Sequence, residues 1–170
     1  MRENFRKSLR WRRRLKLLVA RDILDTLLPD ELPAIAMEAL CDNCEGEKLV
    51  LLATCEPKLQ DDAHALFLEV LAEQRCAPIT IEGALRRYVV NICERIVAAE
   101  ISTDDGARKI FKVQLKIDSK DPSWRVVSRL GVLAFCSRDD YFYDPPQFDR
   151  DVLTEAAKWV GHGPLGPERL

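Results

Sequence analysis

Apolar residues in this chain recur mostly at every third or fourth position, the spacing that lays a stripe along one side of an α-helix. The stripe is cleanest after Thr80. Leu85, Tyr88, Val89, Ile92, Ile96 and Ala99 fall on one side, and Arg86, Arg87, Asn91, Glu94 and Arg95 on the other. Thr80 is placed to cap this helix, and Glu82 sits in its first turn, where the helix dipole favours a negative charge. Ser102-Thr103-Asp104-Asp105 resembles a capping box and should open a second helix, with Ala107, Ile110 and Phe111 buried. The end of that helix is contested. Phe111, Val113, Leu115 and Ile117 alternate with Lys112, Gln114, Lys116 and Asp118, which is strand periodicity. A helix ending near Lys116 is preferred, because no second strand offers itself as a partner and a lone strand is unstable.

The same spacing predicts helices elsewhere. One runs from Leu15 with Leu17, Leu18, Ile23, Leu24, Leu27 and Leu28. Another is capped by Asp30, carries Pro33 in its first turn and reaches about Cys41. Asp42, Asn43 and Gly46 break it, and a short helix burying Leu49, Leu52 and Ala53 follows. Residues 60–76 turn Ala63, Leu66, Phe67, Val70 and Leu71 inward and leave His64 off that face, in solvent. Asp121-Pro122 opens a helix that is apolar over a wide arc, from Trp124 to Phe135, and Phe148, Val152, Ala156 and Trp159 mark a last one. The expected fold is all-α, a compact bundle of about eight helices with mostly antiparallel neighbours. It should form a single helical domain over 12–160, with a basic N-terminal extension at 1–11 and a flexible C-terminal tail at 161–170.

Composition narrows the setting. At 170 residues the chain can bury one substantial core, and no apolar run approaches the ~20 residues of a membrane span. Its six cysteines sit at 41, 44, 55, 76, 93 and 136, mostly within helical patterns. A secreted disulfide framework would be short and loop-rich, so reduced thiols and a cytoplasmic location are expected.

Charge divides the chain. Residues 1–21 hold nine Lys or Arg and one Glu, a net of +8; the remainder holds 17 against 27 acids, a net of −10. Two surfaces follow. Asp139, Asp140, Tyr141, Tyr143 and Asp144 gather acids and aromatics suited to a protein partner. Arg6, Lys7, Arg10, Trp11, Arg12, Arg13 and Arg14 form an arm that could neutralise nucleic-acid phosphates or a membrane surface, or lie against the acidic body of its own chain. A basic arm and an acidic body in one chain also suit arm exchange between subunits, which would make a homodimer.

Candidate chemistry is sparse. Cys41-Asp42-Asn43-Cys44 has the spacing of a zinc knuckle, with Cys55 and His64 as conceivable completing ligands. A strong zinc signal needs two such pairs, so neither a metal nor another cofactor is expected. No phosphate-cradling glycine loop, nucleophile elbow, zinc-protease motif or calcium loop is present. With two histidines in all, at 64 and 162, an enzyme is not expected.

Two runs carry a resemblance. LPDELPAIAMEALCDNCEGEKLVLLA, from Leu28, is similar to a stretch of small bacterial all-helical proteins of unknown function, in which an acidic turn leads into a short Leu-rich helix. VAAEISTDDGARKIFKV, from Val97, resembles a second element of those proteins. The resemblance implies a bacterial protein with no catalytic residues to carry over. Some such proteins resemble immunity partners of bacterial toxins, and the basic arm and the paired cysteines depart from the pattern. The leading expectation is therefore a non-enzymatic cytoplasmic protein-binding module, immunity-like, that engages a partner through its acidic body. The alternative is a nucleic-acid-associated protein that binds phosphates through its basic arm.

Overall fold

The computed structural model describes residues 2–56, 60–117 and 144–162, and seven α-helices lie among them. They are α1 (Arg2–Ile23), α2 (Leu32–Cys41), α3 (Glu47–Ala53), α4 (Gln60–Glu73), α5 (Ile81–Val97), α6 (Thr103–Gln114) and α7 (Pro145–His162), with a 3₁₀ turn at Pro29–Glu31. No strand occurs among the described residues, and the all-α expectation holds. The expected helix at 122–138 lies outside them, as do Cys136 and residues 163–170. Contacts gather into two units, 1–78 and 79–170. The boundary expected between an extension and a domain, at residues 11 and 12, falls inside α1.

In the first unit, α3 packs against both α2 and α4, and the 3₁₀ turn rests on α2 and α4. Leu32, Ala36, Ala39, Leu49, Leu52, Ala63, Phe67 and Val70 are buried. Trp11, Leu15, Leu18, Val19, Ala20 and Leu24 of the first helical stretch are buried as well. Asp30 does not cap α2 as the sequence suggested. It lies in the 3₁₀ turn, because Pro33 at the start of α2 sets the first helical turn two residues later. Leu28, expected on the apolar side of the first helix, lies beyond its end and is 56% exposed.

The second unit is built on α5. Its stripe of Leu85, Tyr88, Val89, Ile92 and Ile96 is buried, and its most extensive contact is with α7, followed by α6. Thr80 caps α5 by accepting from the Gly83 N–H at 3.1 Å, and Ser102 caps α6 by accepting from the Asp105 N–H at 3.0 Å. Residues 111–114 are the last turn of α6 and 115–117 a turn and bend after it, so the segment is no strand and the helix stops two residues before the end expected near Lys116. Gly106, Ala107, Ile110, Val113 and Gln114 are buried at helical spacing, while Leu115 is 69% exposed where a strand would have turned it inward with Val113. Gly106 lets α6 approach α5 closely, since a Cβ there would stand 2.6 Å from Ile96 Cγ1. On α7, Phe148, Val152, Ala156 and Trp159 are all buried, as their spacing predicted. Asp144, outside the helix, lends its carbonyl oxygen to the N–H groups of Gln147 and Phe148 at 2.9 and 3.0 Å, and Pro145 and Pro146 fill a first turn that needs no donors.

Four helices end in one way. After α1, α2, α4 and α5, a residue with positive φ is followed by an N–H that reaches back five residues: Thr26 to Arg21, Cys44 to Ala39, Cys76 to Leu71, and Glu100 to Arg95, all at 2.8–3.0 Å. This is the Schellman ending, in which glycine is the usual left-handed residue. Here the position is held by Asp25 (φ 50°), Asn43 (φ 59°), Arg75 (φ 50°) and Ala99 (φ 56°). The residue after it is one that favours an apolar side chain, which accounts for the placement of Cys44 and Cys76.

Candidate functional site

The +8 of residues 1–21 is set on one continuous helix, and the first unit surrounds it with acids. Residues 22–78 hold three basic residues against thirteen acidic ones, a net of −10, whereas residues 79–170 hold fourteen of each. The whole acidic excess therefore belongs to the unit that contains α1.

Part of the positive charge is spent inside that unit. The Arg21 guanidinium donates to both carboxylate oxygens of Glu31, at 2.8 and 3.0 Å, and to the Thr26 carbonyl at 2.9 Å. Arg14 pairs with Glu38 of α2 at 2.6 Å. Asp22 meets His64 of α4 at 2.8 Å, so the histidine expected to stand free in solvent is a half-exposed partner of α1. These pairs fix the rotation of α1 and leave other cations turned outward.

Arg10, Arg12, Arg13 and Lys16 are exposed, and none has an ion-pair partner among the described residues. Arg12, Arg13 and Lys16 form one wall of a cleft of about 700 Å³. The opposite wall is the end of α4 and the turn after it, residues 73–77, with Leu15 at the base of α1's wall. Arg75 contributes a fourth cation. The single acid, Glu73, is already engaged: its Oε1 accepts from the Glu47 N–H at 2.9 Å, at the positive end of α3. Gln74 likewise donates to the Glu45 carbonyl at 2.9 Å. The cleft is thus a concave surface of four cations and one carboxylate, the latter hydrogen-bonded to the start of α3.

The sequence-derived candidates divide accordingly. Arg10, Arg12 and Arg13 lie on the outward side of α1; Arg14 is tied to Glu38. Arg6 and Lys7 belong to the same helix. Trp11 does not join the cationic surface. It is only 7% exposed, and its Nε1–H finds no hydrogen-bond partner among the described residues, so it offers no ring for a base to stack on. Its helical phase explains the correction: Trp11, Leu15 and Leu18 share the inward side. Of the acidic and aromatic candidates, Asp139, Asp140, Tyr141 and Tyr143 lie outside the described residues, and Asp144 is an exposed residue at the start of α7.

No family model matches the chain, and neither does any curated protein or solved structure.

No group of three or more His, Cys, Asp or Glu side chains among the described residues is arranged to hold a metal ion. Cys41 is exposed at the end of α2, Cys44 occupies the turn, the Cys55 thiol lies 3.8 Å from the Glu56 carbonyl, and His64 is taken by Asp22. The thiols differ in reactivity. Burial pushes the Cys93 thiol up to about 12, with the negative charges of Glu155 and Glu94 adding to the effect. A disulfide reagent at mildly alkaline pH should therefore label Cys41 in the folded protein and spare Cys93 until denaturant is added. Labelling of Cys93 at the Cys41 rate under native conditions would contradict the buried position.

Sequence reasoning missed Lys16 and Arg75 as members of the cationic cleft. Lys16 was legible from its spacing to Arg12 and Arg13. Arg75 was signalled only by a charged residue standing where a helix ending favours glycine.

Proposed function

We propose that this protein is a non-enzymatic cytoplasmic binding module whose partner is a polyanion, nucleic acid, held by its phosphates on the outward side of α1. The supporting observation is the cleft in which Arg12, Arg13, Lys16 and Arg75 converge without ion-pair partners, while Arg14 and Arg21 of the same helix are paired. A helix that merely neutralised its own acidic unit would direct its cations to those acids. Guanidinium groups match phosphate oxygens two at a time, which favours a phosphate ligand over a generic acidic surface. With Trp11 buried and no other aromatic residue lining the cleft, base identity is not read, and binding is independent of sequence.

Phosphate neutralisation by four cations gives a log–log salt slope of about −3, so a fourfold rise in salt weakens binding roughly fiftyfold. Fluorescence anisotropy with a labelled mixed-sequence nucleic acid measures this. Charge reversal at Arg10, Arg12 and Arg13 together should abolish binding, and charge reversal at Asp139, Asp140 and Asp144 should leave it intact. Binding that is indifferent to salt, or that survives the arginine reversals, would remove the proposal. A protein partner whose rapid association is slowed by the aspartate reversals would instead favour the immunity-like role.

A further inference from the structure

Arg75 occupies a backbone position that argues against it. At φ 50° an L-residue brings its Cβ against the neighbouring carbonyl, which is why glycine dominates this site in helix endings. Arg75 makes no hydrogen bond or ion pair through its side chain among the described residues; the turn is held by its backbone, with the Arg75 and Cys76 N–H groups donating to the Ala72 and Leu71 carbonyls at 3.1 and 2.9 Å. It lines the same cleft as Arg12, Arg13 and Lys16, from the turn after α4 rather than from α1. Asp25, Asn43 and Ala99 hold the same left-handed position after other helices, so what sets Arg75 apart is its place in the lining of a cationic cleft.

Resting on the phosphate-binding reading above, we propose that the cleft is a single-strand cradle: α1 supplies one wall, and Arg75 is a dedicated phosphate-binding residue on the other. The shape decides between single strands and duplexes. A duplex is a convex rod too thick to enter such a site and would meet only its rim. A single strand can enter a concave site of about 700 Å³ and present successive phosphates to both walls. The residues that give the cleft its apolar floor, Leu15, Cys76 and Ala77, are small or aliphatic and tolerate any base. The ligand is therefore single-stranded nucleic acid taken without sequence preference, as in other cationic grooves that follow a strand.

The proposal makes stability and binding move in opposite directions. In the full-length protein, Arg75→Gly should raise the melting temperature by roughly 4 °C, because the left-handed strain is relieved. It should also weaken binding of a short labelled single-stranded oligonucleotide about tenfold and reduce the salt slope by about 0.7, the loss of one phosphate contact. Arg75→Asn, which tolerates the same backbone, should show the same binding loss. Ala99→Gly is the control: it relieves an equivalent strain in the second unit and should raise stability while binding is unchanged. A duplex of the same sequence should bind more weakly than the single strand and be insensitive to Arg75→Gly. If wild type binds with steep salt dependence but the Arg75 variants bind equally well, or the duplex binds as tightly as the strand, the cradle is wrong and the exposed side of α1 acts alone. If wild type binds neither nucleic acid, the broader phosphate-binding reading fails and the cradle with it.

Discussion

Truncating Phe148 to alanine is expected to destabilise the second unit by about 3–5 kcal/mol. Phe148 is fully buried at the first turn of α7, and α7 makes the most extensive contact with α5. The loss has two parts. Transfer of the ring out of the core removes its hydrophobic contribution, and the cavity left behind removes dispersion contacts from its neighbours. Collapse of that cavity is opposed locally. Pro145 and Pro146 stiffen the turn that would have to move, and the two N–H bonds to the Asp144 carbonyl anchor it. Phe148→Leu keeps most of the volume and should cost less than half as much. Urea unfolding would measure both. A loss under 1 kcal/mol for the alanine variant would show that α7 does not hold this unit together.

Leu15→Ala should cost about 2–5 kcal/mol in the first unit, and it should do so for a side chain that also floors the cationic cleft. Leu15 is 2% exposed and lies between Arg14, which pairs with Glu38, and Lys16, which faces the cleft. Its burial, with that of Trp11 and Leu18 on the same side, sets which cations of α1 point outward. Lys16→Ala changes none of that packing and should leave stability within about 0.5 kcal/mol of wild type. The pair separates the two faces of one helix: the leucine variant acts on the unfolding midpoint, the lysine variant on the salt dependence of phosphate binding. A neutral Leu15→Ala would mean that α1 is held by its ion pairs alone.

The fold was legible where burial and helical phase agree. Leu85, Val89, Ile92 and Ile96 on α5, and Phe148, Val152, Ala156 and Trp159 on α7, could be assigned to the core from spacing alone, because nothing competes with a stripe four residues long. Residues 111–117 were ambiguous because their alternation satisfies both periods over a short window, and only the exposure of Leu115 decides it. Trp11 was misassigned because the charges around it hide its phase. Among eight residues rich in arginine, a single aromatic looks like part of a basic surface until Leu15 and Leu18 are recognised as its partners on the same side. The cleft itself was illegible, since it joins α1 to residues nearly sixty positions later in the sequence. His64 and Asp22 escaped for the same reason: no local pattern announces a pair separated by 42 residues.

The joints between α2, α3 and α4 have a bearing on how the chain acquires its structure. Each closes over a few residues, and the one after α2 is fixed by backbone bonds within the turn itself, so the entropy of bringing neighbouring helices together is small. The pairing of α5 with α7 is different, because some thirty residues of sequence separate α6 from α7. Contacts that are close in sequence form sooner than those that close long loops. During synthesis the α2–α3–α4 layer can therefore assemble while later residues are still being added, whereas the part of α5's stripe that meets α7 waits until α7 emerges. The span between those two events is when this chain has most need of a chaperone.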